Sequence, residues 1–328
     1  MTPVEGVELD GALAVVTGGA GFIGSHIVDA LVAAGARVRV LDSLVRGHRG
    51  NLASALASER VELVEGDIRD LAGVRAAVDG ADVVFHQAAL WLLECEADPR
   101  AALDINVVGT FNVAQAAAEA GVRKLVSASS SSVYGEARRL PTAEDHPFDH
   151  RIFYGATKVA GEELVKAFHA KHGLPYVVLR PLNVYGPRQD YRSAYVSVIP
   201  LFVRKVLAGE TPIIFGDGSE TLDLVYVEDV ARANLLAATS PAIGAYNVAT
   251  GRETSLTQLA ETILQVMGSD ARPRYEERPG KLVSRRRGGT ERAARDLGFT
   301  AQVTPEEGLR RLIEWVRQDS SRERAGAS

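Results

Sequence analysis

Residues 17–26 read Thr17–Gly18–Gly19–Ala20–Gly21–Phe22–Ile23–Gly24–Ser25–His26, and their place between two apolar segments decides the fold. Before them runs Leu13–Ala14–Val15–Val16, a short continuous apolar stretch that reads as a buried strand. After them Ile27, Val28, Leu31 and Val32 recur at helical spacing. Strand, glycine turn and helix in that order form the context that a dinucleotide-binding fingerprint requires. Gly18 permits the tight turn, Gly21 lets a pyrophosphate approach the backbone, and Gly24 lets the helix lie close to the strand. The phosphates then rest on the free N–H groups around Phe22 and Ile23, at the positive end of the helix.

A second apolar strand, Val38–Arg39–Val40–Leu41, ends at Asp42, 18 residues beyond Gly24. A carboxylate there accepts from the ribose hydroxyls of an adenosine and repels a 2′-phosphate, which favours NAD over NADP. The alternative is a solvated aspartate that opens a turn. Arg46 and Arg49 follow closely and are of the type that tolerates a 2′-phosphate.

Length and charge exclude several classes. The 328 residues suffice for one large or two modest domains. A net charge of −5 offers no field to attract nucleic acid or anionic lipid. The single cysteine, Cys95, rules out a disulfide framework and a cysteine metal cluster, and no metal is expected. No apolar run approaches membrane-spanning length and no basic-then-apolar leader is present, so the expectation is a cytoplasmic enzyme.

Strand and helix signals alternate along the chain. Strands are expected at 61–64, 83–86, 125–129 and 176–180, with helices at 101–120 and 154–172 between them. This alternation predicts an α/β fold with a doubly wound parallel sheet, whose ligands collect beyond the carboxyl ends of the strands. After Arg180 the texture changes to proline- and glycine-broken segments, with helices at 199–208, 227–238, 255–266 and 304–318. The expected organisation is a nucleotide-binding domain over 1–180, with returning segments at about 225–250. A smaller substrate lobe is interleaved over 181–318, and a disordered tail covers 319–328.

Tyr154 and Lys158, four apart at a helix start, share one face. A free phenol has a pKa near 10, too high for a base at neutral pH. A nearby ammonium favours the phenolate, and lowering the pKa by ~2–3 units takes roughly 3–4 kcal/mol, which a buried Lys158 together with a positive nicotinamide ring is expected to supply. By itself the pair also fits an ordinary helix surface.

With these motifs in order, the chain resembles the extended short-chain dehydrogenase/reductase family of nucleotide-sugar epimerases and dehydratases, with a Rossmann sheet. The likeness runs from Thr17 to about Trp315. Residues 17–24 resemble its glycine loop, and Gly66–Asp67–Ile68 its adenine-contacting turn. His86–Gln87–Ala88–Ala89 resembles the strand end beside the cofactor, and Asn106–Val107–Val108–Gly109–Thr110 the central helix motif. Residues 129–135, with Ser129, Ser130, Ser131 and Ser132, resemble its catalytic strand end. Tyr154–Gly155–Ala156–Thr157–Lys158 resembles its YxxxK motif. Arg180–Pro181–Leu182–Asn183 and the residues through Pro187 resemble its entry to the substrate lobe, and Pro187–Arg188–Gln189–Asp190 resembles the stretch found in its epimerases of UDP-hexoses.

The resemblance implies roles. Tyr154 exchanges the sugar O4 proton, Lys158 tunes it and holds the nicotinamide ribose, and Ser130 hydrogen-bonds O4 or, alternatively, caps a neighbouring loop. Hydride passes between sugar C4 and NAD, giving a 4-keto sugar. Dehydratases of this family carry Asp–Glu, and decarboxylases a glutamate, just after the catalytic serine. Here Ser131 and Ser132 stand there, which points to 4-epimerisation of a UDP-hexose, UDP-N-acetylhexosamine or UDP-uronic acid. The alternatives are a UDP-glucuronate decarboxylase or other keto-sugar-forming enzyme, and a non-catalytic NAD sensor. Leu222 occupies the place of a diphosphate-binding arginine, Arg278 matches a second one, and the run Arg285–Arg286–Arg287 offers substitute charge or a solvated face. Trp91, in an unusual stretch with Glu94 and Glu96, either stacks on a pyranose or packs. A homodimer through helices 101–120 and 154–172 is implied, with Ala114, Ala117, Ala118, Ala160 and Gly161 allowing close approach or packing on the sheet.

Overall fold

The computed structural model describes residues 4–192, 197–277 and 285–326, of which 322–326 are described by backbone alone. Seven parallel strands form the central sheet: β1 (Leu13–Thr17), β2 (Arg37–Asp42), β3 (Val61–Glu65), β4 (Val83–His86), β5 (Lys124–Ala128), β6 (Tyr176–Pro181) and β7 (Gly244–Val248). Their order across the sheet is 7-6-5-4-1-2-3. The chain winds one way from β1 to β3 and the other way from β4, so a crevice opens where β1 and β4 lie side by side. The inner strands β1 and β4 are apolar on both faces because helices cover both sides of the sheet.

On one face α1 (Phe22–Ala33) packs with a helix at Val227–Thr239, and Ile27, Val28, Leu31, Val230 and Ala237 share one core with the strand residues Ala14, Val16 and Val40. On the other face lie α2 (Leu71–Val78), α3 (Leu92–Ala97), α4 (Thr110–Glu119) and α5 (Phe153–His172). Val74, Val113, Ala114, Ala117 and Val165 bury there against Val15, Val84 and Leu125. Ala114 and Ala117 therefore pack in the sheet-side core. A third core, with Phe202, Leu259, Ile263, Leu309, Leu312 and Ile313, belongs to the later part of the chain.

Two expectations are corrected. The helix expected over 101–120 is three pieces: Pro99–Ala102, a π-helical stretch Leu103–Gly109, and α4. The Thr110 hydroxyl donates to the Asn106 carbonyl at 2.7 Å, a side-chain bond that competes with the regular ladder at the junction. The tail expected over 319–328 is helical as far as Gly326, the end of a helix that begins at Pro305. That helix buries Leu309, Leu312, Ile313 and Val316, and Asp319 on it accepts from the Tyr191 hydroxyl at 3.0 Å. Anchoring carries the helix past the point where composition alone suggested fraying.

Buried polar links tie the sheet ends together. Arg180, at the end of β6, makes a two-point pair with Glu162 of α5 (2.5 and 2.9 Å), and both side chains are buried. Arg180 also donates to the Tyr134 hydroxyl at 2.9 Å, and Tyr134 donates to Asn247 of β7 at 2.7 Å. The Ser129 hydroxyl donates to the same Glu162. His86 sits between the Thr17 and Thr110 hydroxyls at 2.7 and 2.9 Å. His26 donates from Nε2 to the Pro187 carbonyl at 3.0 Å.

Burial holds His86 down to about 3, with the Lys158 cation adding to the effect. Burial and then the Arg188 cation hold His26 down to about 4, against opposing contributions from the Pro187 carbonyl and Asp29. Both imidazoles are thus neutral in the fold but protonate near 6.5 when unfolded, so the unfolded chain binds more protons below that pH. Stability is expected to fall as pH drops from about 6.5, by about 1.4 kcal/mol per pH unit for each histidine, until the folded values are passed. Urea midpoints between pH 7 and 4.5 measure this, and His26→Gln should flatten the slope. Glu162→Ala leaves Arg180 buried without its carboxylate and is expected to destabilise by about 3–5 kcal/mol in the same assay.

Candidate active site

The glycine turn is shaped by atoms that are missing. A Cβ on Gly24 would stand 2.1 Å from the Gly18 carbonyl oxygen, and one on Gly18 would stand 2.7 Å from the Ala88 nitrogen. Gly18 also takes φ 68°, a conformation that glycine alone adopts without strain. No side chain caps α1 at Gly21, so the first N–H groups of the helix, from Phe22 onward, are left for a ligand.

Asp42, at the end of β2, is buried and accepts from the Ala20 and Leu44 nitrogens, both at 2.9 Å. It therefore shapes the glycine turn while keeping lone pairs for a sugar hydroxyl. A cradle that a Cβ would fill, an uncapped helix end and this carboxylate fit a pyridine dinucleotide.

Around the crevice, the expected cofactor residues divide into two groups. Ala88 donates from its nitrogen to the Thr17 hydroxyl at 3.3 Å, and Gln87 donates to Asn234 at 3.1 Å. Ala89 and Pro181 are half-buried at the ends of their strands. Other side chains are already engaged. The Asp67 carboxylate is held by Arg69 at 2.7 Å, which keeps its pKa below the usual range. Ile68 is buried, and its carbonyl accepts from Asn112 at 3.0 Å. Asn106 binds the Leu90 nitrogen (2.7 Å) and carbonyl (3.2 Å) and the Thr157 hydroxyl (3.1 Å), so it braces the segment after β4. With its hydroxyl on Glu162, Ser129 likewise acts inside the frame.

The expected catalytic residues lie at the mouth of β5. Tyr154 is the second residue of α5, half-buried, with its backbone nitrogen donating to Glu96 at 3.3 Å. Lys158, one turn on and buried, places Nζ 5.7 Å from the Tyr154 ring centre and donates to the Ala128 carbonyl at 3.1 Å. The Ser130 hydroxyl, which donates to the Ser132 hydroxyl at 3.0 Å, also lowers the Tyr154 phenol pKa. Ser130 also caps the turn Ser131–Tyr134, accepting from the Ser132 nitrogen at 3.1 Å.

Burial sets the electrostatics of the pair. It pushes the Tyr154 phenol up to about 12, against the lowering effect of the Ser130 hydroxyl, and pushes the Lys158 ammonium down to about 8. Desolvation disfavours the charged form of each group.

In the later part of the chain, the Asn183 side-chain oxygen is buried with no partner among the described residues. Arg188 turns away to pair with Asp29 of α1 at 2.7 Å. Leu222 lies in a two-residue strand paired with Thr254, and Arg278 falls outside the described residues. Of the arginine run, Arg285 is bound by Glu253 at 2.6 Å and Arg287 donates to the Gly251 carbonyl at 2.8 Å. Arg286 is half-buried, and its desolvation lowers its pKa. The stretch around Trp91 is the helix α3, with Glu94 on Arg46 at 2.8 Å and Glu96 on Tyr154, so neither acid is left unpaired. One face of the Trp91 ring is covered by the Arg46 guanidinium at 5.4 Å. Sequence spacing carried no signal for Glu162 or Asn247, which are joined to the site only through the fold. No cluster of metal-ligating side chains occurs among the described residues.

Among known families, the model of the NAD dependent epimerase/dehydratase family matches residues 14–249. A UDP-glucose 4-epimerase from Mycolicibacterium smegmatis is 41% identical over 314 residues, covering 93% of this chain and 99% of the relative. A UDP-N-acetyl-α-D-glucosaminuronate decarboxylase from Bacillus cytotoxicus is 30% identical over 320 residues, covering 93% and 97%. Among solved structures, a UDP-N-acetylglucosamine 4-epimerase from Methanobrevibacter ruminantium, in complex with UDP-N-acetylmuramic acid, superposes with a TM-score of 0.90 at 36% identity, covering 94% of this chain and 99% of that one. Glycine turn, Asp42 and the Tyr154–Lys158 pair, joined to these matches over nearly the whole length, make this chain a member of the NAD-dependent epimerase/dehydratase family.

Proposed function

We propose that the protein is an NAD-dependent UDP-sugar 4-epimerase. The observation that carries this reading is the Tyr154 phenol with Lys158 beside its ring and Ser130 acting on it, followed by Ser131 and Ser132 where an eliminating or decarboxylating enzyme needs a carboxylate. Glu94 and Glu96, the acids of α3, are held by Arg46 and by the Tyr154 backbone. With these two acids engaged and serines at 131 and 132, chemistry is confined to C4.

NAD, when bound, supplies the hydride acceptor. The chain's own residues do the rest. Ser130 hydrogen-bonds the sugar O4 and aligns it with the Tyr154 phenol oxygen, which carries the O4 proton away and returns it. Lys158 holds the nicotinamide ribose and stabilises the phenolate whenever it forms. Since burial favours the neutral phenol, positive charge brought in by the cofactor is needed to make Tyr154 a base near neutral pH. Asn183, with its orphaned oxygen, and Arg286 bind the nucleotide diphosphate sugar on the lobe side. Phe22, Ile23, Gly24 and Asp42 hold the dinucleotide, and Trp91 lies at the crevice rather than on a pyranose.

A homodimer belongs to the same reading. Leu103, Val108, Phe111 and Phe153 are exposed large apolar side chains on or beside α4 and α5, and an apolar hollow between these helices is lined by Phe111, Ala118, Leu164, Ala167 and Phe168. A second copy of the chain covers that face. Sedimentation equilibrium should give twice the chain mass, and Phe111→Glu should shift it to the monomer.

The reaction is tested by incubating the purified protein with a panel of UDP-sugars and following products by NMR. A C4 epimer is the expected product. A pentose with carbon dioxide would make it a decarboxylase, and no turnover of any nucleotide sugar would make it an NAD-binding sensor. Tyr154→Phe should retain NAD and the fold while kcat falls at least ~100-fold, as only the proton-transfer group is removed.

A further inference from the structure

The sheet order places β1 between β4 and β2, and all three strands run parallel. A link between the segments that follow β4 and β2 therefore passes over the carboxyl end of β1, above the glycine turn. Such a link exists. Arg46, four residues past β2, donates from Nη1 to Glu94 Oε2 at 2.8 Å and lays its guanidinium 5.4 Å from the Trp91 ring centre. The Trp91 nitrogen donates to the same Glu94 oxygen at 3.2 Å, which aims the carboxylate at Arg46.

Both feet of the link are anchored. On the β2 side, the Ala20 carbonyl accepts from the His48 nitrogen at 3.0 Å and the Asn51 amide at 2.9 Å. On the β4 side, Cys95 is buried, Asn106 brackets Leu90, and Glu96 accepts from Tyr154. The short helix α3 thus touches the ribose-side loop through Glu94 and the catalytic helix through Glu96.

We propose that Arg46, Trp91 and Glu94 form a clasp across the dinucleotide crevice that retains NAD and withholds Arg46 from a 2′-phosphate. A dinucleotide on the glycine turn lies beneath this link and leaves when the Arg46 contacts open. The Arg46 and Glu94 side chains are 40% and 39% exposed, so the pair adds little to global stability and acts on release. A 2′-phosphate has to compete with Glu94 for the guanidinium, which reinforces the selection made by Asp42. Retention goes beyond the epimerase reading, though it suits a reaction in which one dinucleotide takes up a hydride and returns it to the same sugar.

Stopped-flow fluorescence of NADH displaced by excess NAD tests the clasp without any sugar present, so the outcome is independent of which reaction the protein catalyses. Arg46→Ala and Glu94→Gln should each speed NADH release by roughly 3- to 30-fold with unchanged melting temperature. The double charge swap Arg46→Glu with Glu94→Arg should bring the rate back toward the wild type. Glu94→Gln should also tighten NADPH binding in a fluorescence titration, whereas Arg46→Ala should not. Release within about twofold of wild type in both single variants, or a swap no slower than the singles, overturns the retention. Unchanged NADPH affinity in Glu94→Gln overturns the withholding of Arg46.

Discussion

Everything at the carboxyl edge of this sheet depends on one close approach, that of the start of α1 to the end of β1. A single added carbon at Gly24 would reach 2.1 Å from the Gly18 oxygen, so the helix meets the strand only because that carbon is missing. The approach aims the free N–H groups of α1 at the crevice between β1 and β4. It also places Ala20 within reach of Asp42, and through Asp42 ties the turn to the neighbouring strand. Binding geometry and sheet packing are thus consequences of the same contact.

A second layer of order is polar and buried. Arg180, Glu162, Tyr134 and Asn247 connect β6, α5, the turn after β5 and β7 in one hydrogen-bonded chain. Its worth is directional more than energetic, since a buried ion pair gains little over an apolar contact of equal volume. What it provides is position. Glu162 lies on the same helix as Tyr154 and Lys158, and its grip on Ser129 and Arg180 sets that helix against the strand ends. Ser130, the next residue after Ser129, is thereby brought to the phenol.

Burial also sets proton affinities at the strand ends. It keeps the Tyr154 phenol protonated and lowers the pKa of the Lys158 ammonium beside it, each shift opposing the charged form. The pair stands where α5 meets the end of β5, with the Lys158 ammonium on the Ala128 carbonyl. Helix α3 stands at that junction, touching Arg46 on one side and the first turn of α5 on the other.

How far the amino-acid order reaches is visible residue by residue. The glycine turn, Asp42 at a strand end, the parallel sheet and the Tyr154–Lys158 face were all legible, because each depends on local spacing: strand period, helix period, or the backbone freedom of glycine. The helix over 101–120 was legible in extent but not in form, since its π-helical stretch coincides with the bond between Thr110 and Asn106. The helical course of 319–326 followed from burial of Leu309, Leu312 and Val316 and from an anchor at Asp319, none of which composition registers. Likewise Asp67, expected in an adenine-contacting turn, is paired with Arg69 in the fold, and Arg285, read as substitute charge or a solvated face, is paired with Glu253, while Glu94, Glu96 and Glu162 are engaged by Arg46, the Tyr154 nitrogen and Arg180. Sequence alone determined which chemistry-bearing residues stand at strand ends, because that is a matter of periodicity along the chain. Which of them remain available, and how strongly each holds its proton, only the tertiary structure decided, because partners and burial come from residues tens or hundreds of positions away.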